Sequence, residues 1–204
     1  MAPLDAPSGA LRVAQSELLL GGQRSGKSRR AELLARAWLD GASGRSVVFL
    51  ATATAGDEDM RQRIARHRQD RARYLPEALT VEAAQDMPAA LLQHAAPHTL
   101  LVVDCLTLWL THHLMPAEGA GTWGADVLSA RAQDLAAHLL NALPKLSGPV
   151  VLVSNETGLG VVPLGREVRI WVDELGRLNQ AVAAQVERVT LMVAGCPLVV
   201  KGQA

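Results

Sequence analysis

Short apolar runs alternate with amphipathic stretches along most of the chain. Two of the runs, LLVVD (100–104) and VVLVSN (150–155), are continuous, as expected of parallel strands that are buried on both faces. Two more, ELLL (17–20) and SVVFLA (46–51), also predict strands, and ELLL leads directly into a glycine-rich turn. VTLMVAG (189–195) and PLVVK (197–201) predict two closing strands joined by a turn.

Helices are predicted in the stretches between these runs. SRRAELLARAWL (28–39), the charged segment DEDMRQRIARHRQDR (57–71) and residues 123–143 have helical character. Apolar residues recur every three or four positions from Val168 to Val186, which is the stripe of a long amphipathic helix. Alternation of strands and helices predicts a layered α/β fold with a mostly parallel sheet and a C-terminal strand pair.

Length and composition limit the classes of protein to consider. The 204 residues favour one compact domain, here 17–204, after a loosely ordered leader, 1–16. A hydrophobic fraction of 49% excludes wholesale disorder. The zero net charge argues against a nucleic-acid binder. No segment is long and apolar enough to span a membrane, and two unpaired cysteines suit a cytoplasmic protein, where both are expected to be buried.

Lysine is scarce among the 20 basic side chains, since only Lys27, Lys145 and Lys201 are not arginine. Lys27 belongs to residues 21–28, GGQRSGKS, which fit the phosphate-loop pattern G-x-x-x-x-G-K-[ST] between a strand and a helix. Backbone N–H groups of such a loop and the helix N-terminus bind phosphates, with Lys27 at the β- and γ-phosphates and Ser28 as a Mg²⁺ ligand. A chance glycine-rich turn is the alternative. The motif extends the fold prediction to a P-loop NTPase-like, RecA-like three-layer sandwich.

Asp104 ends a buried apolar run, where P-loop proteins place a carboxylate near Mg²⁺. A plain cap of the following segment would also explain an aspartate there. The chain has Ser154-Asn155-Glu156-Thr157 where a guanine-specifying N-K-x-D motif would follow a late strand, which favours an enzyme over a GTP switch. Glu156 itself fits either a ligand contact or a turn.

Six arginines fall within thirteen residues, between positions 61 and 73, a stretch that overlaps the charged segment. On a helix, Arg63, His67 and Arg71 share one face, and arginine forks suit phosphate oxygens. A neutral imidazole at His67 would be a nucleophile for phosphorus. A solvated basic face with an incidental histidine is the alternative explanation from this segment alone.

Taken together, these segments resemble one family, the bifunctional adenosylcobinamide kinase/adenosylcobinamide-phosphate guanylyltransferases of cobalamin biosynthesis. The resemblance runs from Leu18 to Lys201. The segments that carry it are GGQRSGKS (21–28), ATA (51–53), DMRQRIARHRQDR (59–71), the strand VVDCLTLWL (102–110), NETGLGVVP (155–163) and DELGRLNQ (173–180).

The resemblance implies two reactions and assigns residues to them. A nucleoside triphosphate, ATP or GTP, phosphorylates adenosylcobinamide, and GMP from GTP is then transferred to the new phosphate through a covalent intermediate on His67. Lys27 and His67 are the implied catalytic residues, and Ser28 and Asp104 the implied Mg²⁺ ligands. The implied nucleotide-binding residues are Gly21, Gly22, Gln23, Arg24, Ser25, Gly26, Lys27, Ser28, Ala51, Thr52, Ala53, Arg68, Gln69, Asp70, Arg71, Glu82 and Asp104.

One segment departs from the family pattern. The family usually continues from the arginine after the histidine as R-P-x-x-W-x-T-x-E, whereas residues 71–82 read RARYLPEALTVE. The assignment of Glu82 is therefore less secure than that of His67.

Two other functions remain open, a small-molecule P-loop kinase without nucleotidyl transfer and a non-catalytic nucleotide-binding module. The family also implies a homo-oligomer, with a trimer favoured, adenosylcobinamide and its phosphate as substrates, and no nucleic-acid partner. Arg177 and Asn179 fit a subunit interface or a substrate edge.

Overall fold

A computed structural model describes residues 11–54, 56, 58–115, 123–160 and 163–203, without the side chains of residues 59, 63, 67 and 70. The strands are β1 Ser16–Gly21, β2 Ser46–Ala51, β3 Leu79–Glu82, β4 Thr99–Asp104, β5 Val150–Val153, β6 Arg188–Val193 and β7 Cys196–Lys201. The helices are α1 Lys27–Asp40, α2 Glu58–Tyr74, α3 Met87–His94, α4 Leu106–Leu114, α5 Ala125–Ala142 and α6 Arg166–Gln185, and a short 3₁₀ turn covers Leu143–Lys145.

The seven strands form one sheet in the order β3-β2-β4-β5-β1-β6-β7. Neighbouring strands are parallel from β3 to β6, and β7 alone pairs antiparallel, with β6. The predicted mostly parallel sheet and C-terminal strand pair are confirmed. Parallel strands bring their carboxyl ends to one edge, where α/β proteins bind ligands.

Two hydrophobic clusters cover the two faces of the sheet. Leu34 and Ala35 of α1 pack on Leu19, Phe49 and Val151 of one face, together with Leu75 just after α2. The opposite face packs against helices α3 to α6, and its cluster contains Met87, Trp109, Leu139, Leu178 and Val182. This arrangement is the predicted three-layer sandwich. Both central strands, β4 and β5, are buried along almost their whole length, which explains their continuous apolar sequences.

The prediction of a strand over residues 102–110 is wrong beyond Asp104. The strand β4 ends there, and residues 106–114 form the helix α4. Leu106, Trp109, Leu110 and Leu114 are buried at helical spacing, so the apolar run that follows Asp104 belongs to a core helix. The helix α3 was not predicted either.

The proposed leader, 1–16, lies only partly within the described residues. Leu11 and Val13 pack against the core, Ala14 is buried, and β1 already begins at Ser16. No helix in the described ranges is long and apolar enough to cross a membrane.

Candidate functional site

The phosphate loop connects β1 to α1 and is supported from behind by the turn between β6 and β7. Gly21 has φ +149°, and a Cβ there would lie 2.5 Å from the carbonyl oxygen of Met192. Gly26 caps α1 with φ +102°, and the amide of Gly195 donates to the carbonyl of Ser25 at 2.9 Å. Glycine is therefore required by both the backbone conformation and the close packing.

The ammonium of Lys27 lies inside this loop. It donates to the carbonyl oxygens of Gly21 at 2.9 Å and Gly22 at 2.7 Å. The first turn of α1 carries no acidic residue but does carry Arg29 and Arg30. Cations at a helix N-terminus oppose the helix dipole, and a bound anion offsets this repulsion. The loop therefore has the charge and geometry of a phosphate site.

Three predicted residues line up across neighbouring strand ends. The register pairs Ala51 of β2 with Glu82 of β3 on one side and with Asp104 of β4 on the other. The Glu82 carboxylate forms an ion pair with Arg68 of α2, and both side chains are exposed. Thus residues from three strands and one helix meet at the carboxyl edge next to the phosphate loop.

Two cavities open at this edge and share Ser28, Asp104, Cys105 and Leu108. The larger, of about 400 Å³, is the phosphate cleft, and its other lining residues are Gln23, Arg24, Ser25, Gly26, Lys27, Arg29, Arg66, Val153 and Asn155. The smaller, of about 60 Å³, is the side cavity, and its other lining residues are Ala51, Ala53, Met60, Ile64, Arg68, Arg71, Thr80 and Glu82.

Asp104 stands between the two cavities, and its carboxylate interacts with an arginine. Its Oδ2 lies 3.5 Å from Nη2 of Arg71, and its side chain is 21% exposed. The N-cap residue of α4 is Cys105, not Asp104, and it makes no side-chain capping hydrogen bond. The alternative role of Asp104 as a helix cap is therefore not supported. The backbone of Asp104 is held as well, because its carbonyl accepts from the amide of Thr52 at 3.2 Å.

Arg71 joins α2 to the ends of the strands. It is only 6% exposed, its guanidinium lies 4.3 Å above the ring of Phe49, and its Nη1 donates to Thr80 Oγ1 at 3.3 Å. Burial lowers the pKa of Arg71, and the nearby Asp104 carboxylate opposes that shift. Arg71 is thus a structural element of the side cavity, and its Nε has no hydrogen-bond partner among the described residues.

The helix α2 forms a wall of both cavities. Met60, Ile64 and Arg68 line the side cavity, whereas Arg66 lines the phosphate cleft. The backbone of His67 therefore lies between a residue of one cavity and a residue of the other; its side chain is outside the described set.

Other predicted residues lie away from the cavity walls. Thr52 is fully buried, and its hydroxyl donates to the Cys105 carbonyl at 2.7 Å and accepts from the Cys105 amide at 2.8 Å. Gln69 is exposed and lines neither cavity, and the side chain of Asp70 is outside the description. Gly21 and Gly22 contribute carbonyl groups to Lys27.

The loop after β5 is fixed from two sides. The amide of Glu156 donates to the Gly21 carbonyl at 3.1 Å, and its carboxylate accepts from the amide of Gly158, so Glu156 has the turn role. Asn179 of α6 is buried and donates from Nδ2 to the Asn155 carbonyl at 3.0 Å. It therefore supports the loop, while Arg177 pairs with Glu174.

Sequence reasoning missed several residues of the phosphate cleft, among them Arg66 and Cys105. Arg66 was one of six clustered arginines, and nothing in the spacing singled it out. Burial raises the pKa of the Cys105 thiol to about 11, so it stays protonated at neutral pH and is a poor nucleophile.

The residues expected to hold Mg²⁺ suit that ion. Ser28 and Asp104 line both cavities and offer oxygen atoms beside the phosphate loop. Mg²⁺ prefers a few protein oxygens together with substrate phosphates and water. No group of three or more His, Cys, Asp or Glu residues suited to a metal occurs in the described part of the chain.

Solved structures with similar architecture agree with the predicted fold. The protein PH0250 of Pyrococcus horikoshii OT3 matches with a TM-score of 0.50 and 11% identity, covering 96% of this chain and 90% of that chain. The flagellar accessory protein FlaH from Methanocaldococcus jannaschii also matches with a TM-score of 0.50 and 11% identity, covering 94% of this chain and 80% of that chain. At this identity, the likeness concerns the fold alone.

Sequence relatives are more informative. The bifunctional adenosylcobalamin biosynthesis protein CobP of Pseudomonas aeruginosa is 46% identical over 92% of this chain and 98% of its own length. Its counterpart CobU of Escherichia coli is 32% identical over 90% of this chain and 98% of its own length. The family model described as cobinamide kinase / cobinamide phosphate guanyltransferase matches residues 17–200. With a phosphate loop, a strand-end carboxylate and an arginine-rich helix around one cleft, the chain belongs to this family of transferases.

Proposed function

We propose that this protein phosphorylates adenosylcobinamide with a nucleoside triphosphate and then transfers GMP from GTP to the phosphate it has made. In the first step the substrate hydroxyl oxygen bonds to the γ-phosphorus, and a nucleoside diphosphate leaves. In the second, an imidazole nitrogen of His67 bonds to the α-phosphorus of GTP, and pyrophosphate leaves. A phosphate oxygen of the substrate then displaces the histidine, which gives adenosylcobinamide-GDP.

The observation that carries this proposal is the position of α2 at the phosphate cleft. Arg66 lines the cleft and Arg68 lines the side cavity, with His67 between them in the sequence of the same helix. A nucleotide held by the phosphate loop therefore lies next to the helix that carries the nucleophile. The family supplies the substrate class, since its members are described as acting on cobinamide and cobinamide phosphate.

Roles for the other residues follow from the two cavities. The phosphate loop, Gln23 to Ser28, binds the phosphate chain with backbone N–H groups and Lys27. Ser28 and Asp104 hold Mg²⁺, which neutralises charge on the phosphates when it is bound. The side cavity, with Ala51, Ala53 and Glu82, receives the nucleoside end of GTP.

The two steps break different bonds, the β–γ linkage in the kinase step and the α–β linkage in the transfer step. We infer that one cleft serves both, because the phosphate loop and Arg66 line the same volume of about 400 Å³. In this scheme Lys27, Ser28 and Asp104 act in both steps and His67 acts only in the second.

The division of labour is tested by replacing His67 with alanine. His67→Ala should keep the transfer of γ-label from GTP or ATP to cobinamide and lose all retention of α-label from GTP on the protein. The wild-type adduct should be labile in acid and stable in base, as expected of a phosphoramidate. His138→Ala is the matched control, because His138 is an exposed histidine on α5.

Each alternative has its own result. Equal loss of both activities in His67→Ala would contradict the division of labour. Kinase activity without any α-label on the wild-type protein would identify a plain P-loop kinase. Failure to turn over GTP with any cobinamide would indicate a nucleotide-binding module. We also propose a cytoplasmic homo-oligomer, with a trimer as the state to check by light scattering.

A further inference from the structure

The arginines of α2 differ in their partners. Arg61 pairs with Glu58, and Arg68 pairs with Glu82. Arg71 contacts Asp104, and Arg73 lies over the ring of Tyr74. Arg66, in contrast, is exposed and takes part in no hydrogen bond or ion pair found among the described residues. It is therefore a cation of this helix that no carboxylate of the described side chains neutralises.

Arg66 is also the one α2 side chain, among those that the structure describes, that lines the phosphate cleft. It shares that cleft with three cations of the phosphate loop and the start of α1, namely Arg24, Lys27 and Arg29. Asp104 is the sole acidic residue among the described lining residues, and its carboxylate already interacts with Arg71. The cleft therefore has a surplus of positive charge.

Such a surplus favours a polyanion. Cations that face one cavity repel one another unless an anion binds between them, and a guanidinium forms two parallel hydrogen bonds to phosphate oxygens. Arg66 comes from a different element than the phosphate loop, so it contributes donors that the backbone of that loop does not supply. A nucleoside triphosphate, with its chain of charged oxygens, matches this arrangement better than a monophosphate.

We propose that Arg66 binds the phosphate chain of the nucleoside triphosphate, which is thereby held between the phosphate loop and α2. The inference rests on the proposed function for the identity of the nucleotide. Arg66 directly precedes His67, so the same contact keeps the phosphates beside the helix that carries the nucleophile. Arg66 is on this basis a determinant of triphosphate affinity, in addition to the residues expected from the family resemblance.

The test is equilibrium binding without cobinamide, measured by calorimetry with Mg²⁺ at fixed ionic strength. The ligand is guanosine 5′-[α,β-methylene]triphosphate, whose α–β linkage His67 cannot cleave, with GMP as the comparison. Arg66→Ala should weaken binding of the triphosphate at least about tenfold, the range expected for charge-assisted hydrogen bonds, and weaken GMP binding less. The triphosphate affinity of Arg66→Lys should lie between those of the wild type and Arg66→Ala, because lysine keeps the positive charge but not the forked donor geometry of the guanidinium.

Arg61→Ala is the matched control, an exposed arginine on the same helix that pairs with Glu58. It should bind the triphosphate within about twofold of the wild type, because a surface pair has a small effect. If Arg66→Ala binds the triphosphate as tightly as Arg61→Ala does, the inference is overturned. The proposed function would then still stand, provided that the wild-type protein forms the histidine adduct. Failure of the wild type to bind the triphosphate would overturn both.

Discussion

Two of the three lysines, Lys27 and Lys201, lie where several backbone carbonyls converge. Lys27 donates to two carbonyls of the phosphate loop. Lys201 donates to the carbonyls of Ala183 at 2.7 Å, Ala184 at 3.0 Å and Val186 at 2.7 Å, at the C-terminal end of α6. An ammonium directs three N–H groups from one nitrogen, whereas a planar guanidinium spreads its donors over a fork. Charge alone does not explain these two lysines.

The role of Lys201 is tested with a neutral side chain of similar length. Lys201→Met should lower the free energy of unfolding by about 1–2 kcal/mol, because it leaves the last carbonyls of α6 without donors and removes a cation from the helix C-terminus. Lys145→Met is the control, since Lys145 is exposed and no hydrogen bond to it is found in the described ranges. Urea unfolding measures both variants, and equal midpoints would contradict the capping role.

The two cysteines differ, although both were expected to be buried. Cys105 is buried at the end of β4, and burial raises the pKa of its thiol to about 11. Cys196 is exposed at the start of β7, so the expectation is wrong for that residue. The edge strand β7 leaves most of its side chains exposed, apolar ones such as Leu198 and Val200 included, which periodicity alone does not reveal.

Among the elements, α2 shows how a polar helix is anchored. Arg71 is its buried residue among the side chains that are described, and it contacts Phe49 of β2, Thr80 of β3 and Asp104 of β4. The helix therefore depends on one guanidinium where other helices of the protein bury an apolar stripe. The charged sequence predicted a helix correctly but gave no sign of which arginine faces the sheet.

The strands β1 and β6 are joined by a buried ion pair. Glu17 is 0% exposed and accepts from Arg188 and from Thr190 Oγ1, the latter at 2.7 Å. Burial lowers the pKa of nearby Arg30, and the Glu17 carboxylate opposes that shift. One buried carboxylate therefore pairs directly with Arg188 and also offsets the charge of Arg30.

Removing that carboxylate charge should be costly. Glu17→Gln is expected to lower the free energy of unfolding by about 3 kcal/mol or more, because it leaves a buried cation without its partner. Glu77→Gln, which removes an exposed partner of Arg36, should cost less than about 1 kcal/mol. Chemical denaturation distinguishes the two variants, and a small effect at Glu17 would show that water reaches the pair.

At the scale of the whole molecule, the site exists only because the sheet is assembled. The phosphate loop, the ends of β2, β3, β4 and β5, and α2 contribute side chains to two adjoining cavities. The turn near Gly195, far along the chain, packs so closely against Gly26 that it leaves no room for a side chain there. The amide of Gly195 also donates a hydrogen bond to the carbonyl of Ser25. Nucleotide binding should consequently stabilise the folded protein as a unit.

Asp104, as the proposed Mg²⁺ ligand, should link that stabilisation to Mg²⁺. The α,β-methylene triphosphate at about 100 times its Kd should raise the free energy of unfolding by about 2.7 kcal/mol. At a fixed concentration of this ligand, Mg²⁺ should raise the free energy of unfolding further, because it tightens binding. Asp104→Asn should abolish the Mg²⁺-dependent increment, and EDTA should then change nothing. Thermal unfolding with and without Mg²⁺ measures this Mg²⁺-dependent increment. The control is Asp134→Asn, a substitution on the exposed face of α5. An unchanged increment in Asp104→Asn would exclude this residue as a ligand.

Local patterns were sufficient to predict part of the site. The phosphate loop depends on neighbouring residues, 21–28, so its sequence predicted its position between β1 and α1. Asp104 was identified because a buried strand ends there. The helix α4 was missed because its apolar residues follow β4 after one residue and extend the same hydrophobic run. A run of this kind has no period that separates a strand from a buried helix.

The sequence by itself determined the fold class, the phosphate loop and the membership of a family, because short-range spacing and motif order carry that information. Only the tertiary structure decided which neighbour each arginine of α2 faces: Arg66 the phosphate cleft, Arg68 the side cavity and Arg71 the carboxylate of Asp104. These three lie within six residues of one helix and are chemically identical. Their roles differ because the path of α2 across the strand ends, set by long-range packing, gives each a different neighbour.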